Sequence, residues 1–204
     1  MILTIDKYQG SIYALPHAEQ HPNAADNTNV IQGYIDRYER EILLETLGVD
    51  LYNELVTGLT DLDNAPIKVQ DLVKGVTYEV DGVKVIWNGL QDSKSLLIPY
   101  VFCKYLMEQE DSFTTFGMER PNGVNSNKVS AIPKYTQAYR DFFKKYQGVD
   151  NNNPRTINGR YGWGIDYTIA NSVERSLYQF LCDKSEVYTD IKFPYIENIN
   201  RFGL

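Results

Sequence analysis

Hydrophobic and polar positions alternate along this chain in clear blocks, and the blocks predict its elements. Ile31, Ile35, Tyr38 and Ile42 recur at steps of four, three and four, while Gln32, Asp36, Arg37, Arg40 and Glu41 fill the opposite face, the signature of an amphipathic helix starting near Asn29. Gly48 can take the left-handed conformation that closes a helix, and Asp50 can cap a second, shorter one through Leu51, Tyr52, Leu55 and Val56. The two are expected to form a helical hairpin or elbow. After a polar loop from Thr60 to Pro66, residues 76–87 alternate, Ile86 apart, about Asp81-Gly82, a turn pair that tolerates positive φ. That turn pairs Val80 with Val83, Tyr78 with Val85 and Val76 with Trp87, and sets Glu79 opposite Lys84 on the other face.

Leu96 to Met107 carries one charged residue, Lys104, so a helix there is apolar nearly all round and is expected at the centre of the fold. Pro99 must lie in its first turn, with a cap near Ser93 or Ser95, or else kink it. Pro133 opens the next helix, whose Tyr135, Tyr139, Phe142 and Tyr146 keep the same spacing up to Gly148. A last helix is expected to carry Ile169, Val173, Leu177, Phe180 and Leu181. Residues 1–28, broken by Pro16 and Pro22, read as an extended N-terminal arm. Residues 111–130 and 150–164 read as long polar loops, and 190–204 as an extended tail. The expected fold is therefore mainly α (α+β): one domain over 1–204, a bundle of about five helices with one β-hairpin insertion and extended arms.

Length supports the single domain, because 204 residues bury one substantial core with little room for two. No run approaches the ~20 apolar residues that cross a bilayer, and Met1 to Gly10 lacks the form of a signal peptide, so the expectation is a protein made in the cytoplasm that does not engage a membrane. A net charge of -7 argues against a surface built to hold nucleic acid tightly, leaving at most transient contact with DNA. Cys103 and Cys182 both fall in apolar helical patterns and read as small buried hydrophobes rather than a disulfide pair. Sixteen tyrosines against eight phenylalanines suit half-exposed interfaces, although those at helical spacing fit a core better.

Candidate chemistry is sparse. His17 and His21 have the four-residue spacing of metal ligands on a helix, with Asp26 nearby, but Pro16 and Pro22 bracket them and argue against that helix. Tyr161-Gly162-Trp163-Gly164 lacks the Lys-Ser/Thr that follows a phosphate-binding loop. Acidic pairs such as Asp61/Asp63 and Glu108/Glu110 read as solvated surface charge. With no nucleophile elbow and no histidine placed beside a serine or cysteine, the expectation is no catalytic residue, no metal and no cofactor: a non-enzyme.

The run Tyr34-Ile35-Asp36-Arg37-Tyr38-Glu39-Arg40-Glu41-Ile42-Leu43, closing in Leu47-Gly48-Val49-Asp50-Leu51-Tyr52, resembles the opening of small head-to-tail connector proteins from tailed phages and prophages of gut Bacteroidetes, including crAss-like phages. The resemblance continues through Trp87-Asn88-Gly89-Leu90, the apolar helix from Leu96 to Met107, the loop from Asn122 to Lys128 and the terminal Asn200-Arg201-Phe202-Gly203-Leu204, about three quarters of the chain. Its motifs are structural. It implies a virion neck protein, a non-enzymatic homo-oligomer that closes as a ring of typically twelve between the portal and other connector or tail proteins. On that reading Phe113, Phe116 and Met118 in one loop, and Phe193, Tyr195, Phe202 and Leu204 in the tail, are candidate interface anchors; the tail folding back on its own core is the equal alternative. A non-viral helical protein-binding module, monomeric or dimeric with one exposed groove, is the other reading.

Overall fold

The structure, a computed structural model, describes residues 1–8, 12–14, 24–109, 112–114, 117–119, 132–148 and 173–189, with backbone alone for 24–30, 108–109, 112–114 and 117–119. Among the described residues it is mainly helical, with five helices and two antiparallel hairpins. The first helix, α1 (Ala24–Gly58), begins five residues before the expected start and bends where expected: Gly48 sits at φ 73°, ψ 172°. A side chain there would be strained, so a glycine marks the bend between residues 24–47 and 49–58. The result is the expected elbow, two helical segments meeting at Gly48.

Its inner stripe is Ile31, Ile35, Tyr38, Ile42 and Leu43, all buried. They face α3 (Leu97–Gln109), where Leu97, Ile98, Val101, Phe102 and Cys103 are buried on successive faces, so the apolar helix stands at the centre. Ser95 Oγ accepts the Leu97 N–H at 3.2 Å and Pro99 falls in the first turn, where a missing N–H costs nothing. The other wall of α3 is α4 (Ile132–Gln147), whose Tyr135, Ala138, Phe142 and Tyr146 point inward. One polar seam crosses the α1/α3 interface: Glu41 Oε1 accepts from Lys104 Nζ at 2.7 Å and from the Tyr100 hydroxyl at 2.8 Å. Burial alone would raise the Glu41 carboxyl, but those two donors outweigh it and hold the group below its ordinary value.

The hairpin β1 (Val76–Val80) and β2 (Val83–Trp87) has the expected register throughout, with Val76 opposite Trp87 and Glu79 opposite Lys84. The sequence reading passed over α2 (Ile67–Lys74), two turns that bury Val69, Leu72 and Val73. Where α2 hands over to β1, two backbones cross. A Cβ on Gly75 would lie 2.5 Å from the Trp87 and Asn88 carbonyl oxygens, and one on Gly89 would lie 2.5 Å from the Val73 carbonyl oxygen and the Gly75 nitrogen. Leu90 and Gln91 N–H groups then bond the Leu72 and Val73 carbonyls, fixing the crossing.

Four expectations need correction. Residues 1–8 are not a free arm: Ile2, Leu3 and Tyr8 are buried, and Glu39 of α1 accepts the Ile2 N–H at 2.8 Å and the Leu3 N–H at 2.9 Å. Val173 is not helical. It is 50% exposed in an extended stretch whose Val173 carbonyl and Arg175 N–H bond Ile86, forming an isolated parallel bridge between Glu174 and Ile86 at the edge of the hairpin. The last helix, α5 (Leu177–Asp183), starts later because Ser176 and Gln179 form a reciprocal capping box; Ile169 lies outside the described residues. The loop expected over 111–130 contains a second small hairpin, β3 (Ser112–Thr114) paired with β4 (Gly117–Glu119). Cys182 is exposed, not a buried hydrophobe, and both cysteines are free.

Candidate functional site

Of the expected interface residues, Phe113 and Met118 are brought together as a directly opposed pair in the β3–β4 ladder. Phe116, Phe193, Tyr195, Phe202 and Leu204 lie outside the described residues, as do His17, His21 and the loop over 150–164. Among the described residues no cluster of His, Cys, Asp and Glu has the geometry to hold a metal. Burial pushes the Cys103 thiol up to about 12, which leaves it an inert core group. Asp63, one of the acidic pairs, is exposed and salt-bridged to Lys74 at 2.5 Å.

Two surfaces stand out. The first is the elbow. Where Gly48 turns the chain, Val49 is 62% exposed, and Val187, 50% exposed, comes to the same groove from the segment after α5. Val56, further along α1, also faces solvent. Val49 and Val187, with Leu47, Leu51, Tyr188 and Thr189, line a groove of about 280 Å³ whose rim carries the Lys68–Glu54 ion pair, 2.6 Å long. The segment after α5 is held there by the Tyr188 hydroxyl, which donates to the Lys68 carbonyl at 2.7 Å, and by Tyr188 packing edge-on against Phe180. Phe180 in turn stacks on Trp87 at 5.1 Å, and the Trp87 indole N–H donates to the Leu72 carbonyl. The elbow, α2, the first hairpin and α5 are thus one packed unit, and the exposed valines are carried on a rigid base. Residues that the sequence reading missed at this surface, Val187 and Tyr188, fall in a short stretch without periodicity, so only the fold brings them to Gly48.

The second is a cleft of about 340 Å³ between the end of β2, the turn before α3, the last turns of α4 and residues 174–179. Trp87 and Leu96 form part of its wall, and its polar lining holds Asn88, Lys94, Asp141, Lys144, Lys145, Glu174 and Arg175. Lys94 donates to Glu174 at 2.6 Å, Arg175 to Asp183 at 3.0 Å, and Asp141 accepts from the Tyr13 hydroxyl and, at 3.1 Å, from Gln137. Burial lowers Lys145 from the ordinary lysine value, with Lys94 adding to the fall and Asp141, Glu174 and Asp92 opposing it. Neither surface has the nucleophile and paired base of a hydrolytic site.

Comparison with known proteins gives no family model, no curated protein and no solved structure that matches this chain. Among the described residues no helix is long and apolar enough to cross a membrane.

Proposed function

We propose that this chain is a structural subunit of a tailed-phage particle, a head-to-tail connector that closes as a ring in the virion neck between the portal and the tail. The observation that carries the reading is the elbow. The helix from Tyr34 to Tyr52, on which the resemblance to such connectors rests, turns at Gly48 and holds Val49 out to solvent in a groove that Val187 also lines. Exposed apolar side chains on a rigid base, next to a groove, suit contact with a neighbouring subunit. A patch that meets a different patch on the next copy generates a ring when the rotation closes. Thr189 lines the groove, and Phe193, Tyr195, Phe202 and Leu204, which follow it in the sequence, are proposed as anchors on the adjacent subunit or the portal.

The test is negative-stain imaging of the purified chain mixed with the portal encoded beside it. Portal particles carrying an added ring support the reading, and Val49→Asp, a surface change that leaves folding within about 0.5 kcal/mol, removes the ring. Bare portals in the presence of folded protein overturn it and favour the helical binding module.

A further inference from the structure

The cleft between β2 and α4 has no part in the ring reading, and its charges are arranged in an unusual way. Four cationic side chains line it, Lys94, Lys144, Lys145 and Arg175, against two carboxylates, Asp141 and Glu174. Arg175 is paired with Asp183 just outside the lining and Lys94 with Glu174, so Lys144 and Lys145 stand against Asp141, a local excess of one positive charge on a chain whose net charge is -7. Both carboxylates are already engaged. Glu174 takes Lys94, and Asp141, placed one helical turn before Lys145 where it would be its natural partner, instead accepts Tyr13 and Gln137. Lys145 is half-buried, and among the described residues its ammonium has neither a hydrogen bond nor an ion pair; the same holds for the Asn88 side chain across the cleft. Keeping an ammonium half out of water without a partner costs stability, and a bound anion would remove that cost.

We propose that this cleft binds a small phosphate-bearing molecule, with its phosphate held by Lys145 and Lys144 and hydrogen-bonded by the Asn88 amide. A phosphate monoester carries close to two negative charges at neutral pH, which the Lys144 and Lys145 ammonium groups can meet. Lysine serves such groups as a compact point charge with three donors. At about 340 Å³ the cleft exceeds what a bare phosphate fills and falls in the range of sites for small organic ligands, with Trp87 and Leu96 available to the rest of the molecule.

The experiment uses the full chain at constant ionic strength. Inorganic phosphate and adenosine 5′-monophosphate are titrated separately, each against sodium chloride, with the melting temperature and the lysine side-chain NMR signals as readouts. The expected result is a saturable rise in melting temperature with either phosphate that chloride does not give, and a rise in the Lys145 pKa on binding. Lys145→Met should weaken binding by about tenfold or more, the size of one charge-assisted hydrogen bond. Lys145→Arg should retain most of it, and Lys84→Gln, at the tip of the first hairpin, should bind as the unmodified protein does. Tighter binding of the nucleotide identifies a phosphorylated organic ligand, and equal binding identifies free phosphate. No effect beyond chloride, or undiminished binding by a Lys145→Met protein that melts normally without ligand, overturns the proposal.

Discussion

Glu39 decides whether the first eight residues belong to the fold. Its carboxylate, 2% exposed, accepts the Ile2 and Leu3 N–H groups at 2.8 and 2.9 Å, one on each oxygen. Burying Ile2, Leu3 and Tyr8 contributes about 1.5–3 kcal/mol each, or about 5–9 kcal/mol together. Ordering the backbone of residues 1–8 costs about 1–2 kcal/mol per residue, or about 8–16 kcal/mol. The two sums fall short of balance by a few kcal/mol, and two hydrogen bonds to a charged acceptor, about 1.5–3 kcal/mol each, close the gap. Glu39→Ala removes both acceptors, so the segment should leave the core rather than keep two buried N–H groups unpaired. The expected loss is about 1–3 kcal/mol in urea unfolding, with a smaller denaturant slope because the native state already exposes Ile2, Leu3 and Tyr8. Hydrogen exchange should show loss of protection at Leu3 while residues 31–47 stay protected. Glu39→Gln, which keeps one acceptor oxygen, should fall between.

The pH dependence follows from the same site. Burial raises the Glu39 carboxyl, against the pull of the Leu3 and Ile2 amides and the α-amino group, with Asp36 adding to the rise. The folded chain thus holds this proton more tightly than the unfolded one. The group's contribution is full below the ordinary glutamate value and is lost as pH rises through its raised value. The stability difference between the unmodified protein and Glu39→Gln should therefore widen on acidification from pH 7 to pH 4. An unchanged urea midpoint and an intact Leu3 amide in Glu39→Ala would refute the clamp.

Gly89→Ala should destabilise the protein by about 3 kcal/mol or more, because its Cβ meets backbone at 2.5 Å and its φ of 89° disfavours any side chain; a melting temperature near that of the unmodified protein would contradict the backbone crossing. Tyr8→Phe should be neutral or stabilising by about 1 kcal/mol, since the Tyr8 hydroxyl is buried without a partner among the described residues, and thermal melting reads the sign. Ser176→Ala should cost about 1 kcal/mol through loss of the capping box, measured by chemical denaturation.

What could be read from sequence was whatever a local rule determines. Asp81-Gly82 fixes a two-residue turn, and once the turn is fixed every pair from Val76/Trp87 to Val80/Val83 follows. Gly48 marked the elbow for the same reason, being a residue whose conformational range is itself the signal. Val173 was misplaced because its spacing to Leu177 and Phe180 mimics a helix. The competing signal, Ser176 three residues before Gln179, was visible and more specific. Residues 67–74 were assigned to no element because two helical turns after a proline carry too little periodicity to register. The docking of residues 1–8 draws on the Glu39 carboxylate 36 and 37 positions away, on the Gln32 amide that donates to the Leu3 carbonyl and on the burial of Ile2, Leu3 and Tyr8, and no local pattern announces such pairings. Both candidate surfaces are of that kind: Val49 meets Val187, and Lys145 meets Asn88, only through the fold.

The ring reading is tested most directly by the mass of the purified chain in solution at micromolar concentration. The chain weighs 23.5 kDa, and a closed ring of twelve corresponds to roughly 280 kDa. The account predicts a species of that order, alone or once the portal is added, which Val49→Asp returns to a folded monomer. A 23.5 kDa species that persists at every concentration and does not change on addition of the portal would contradict it.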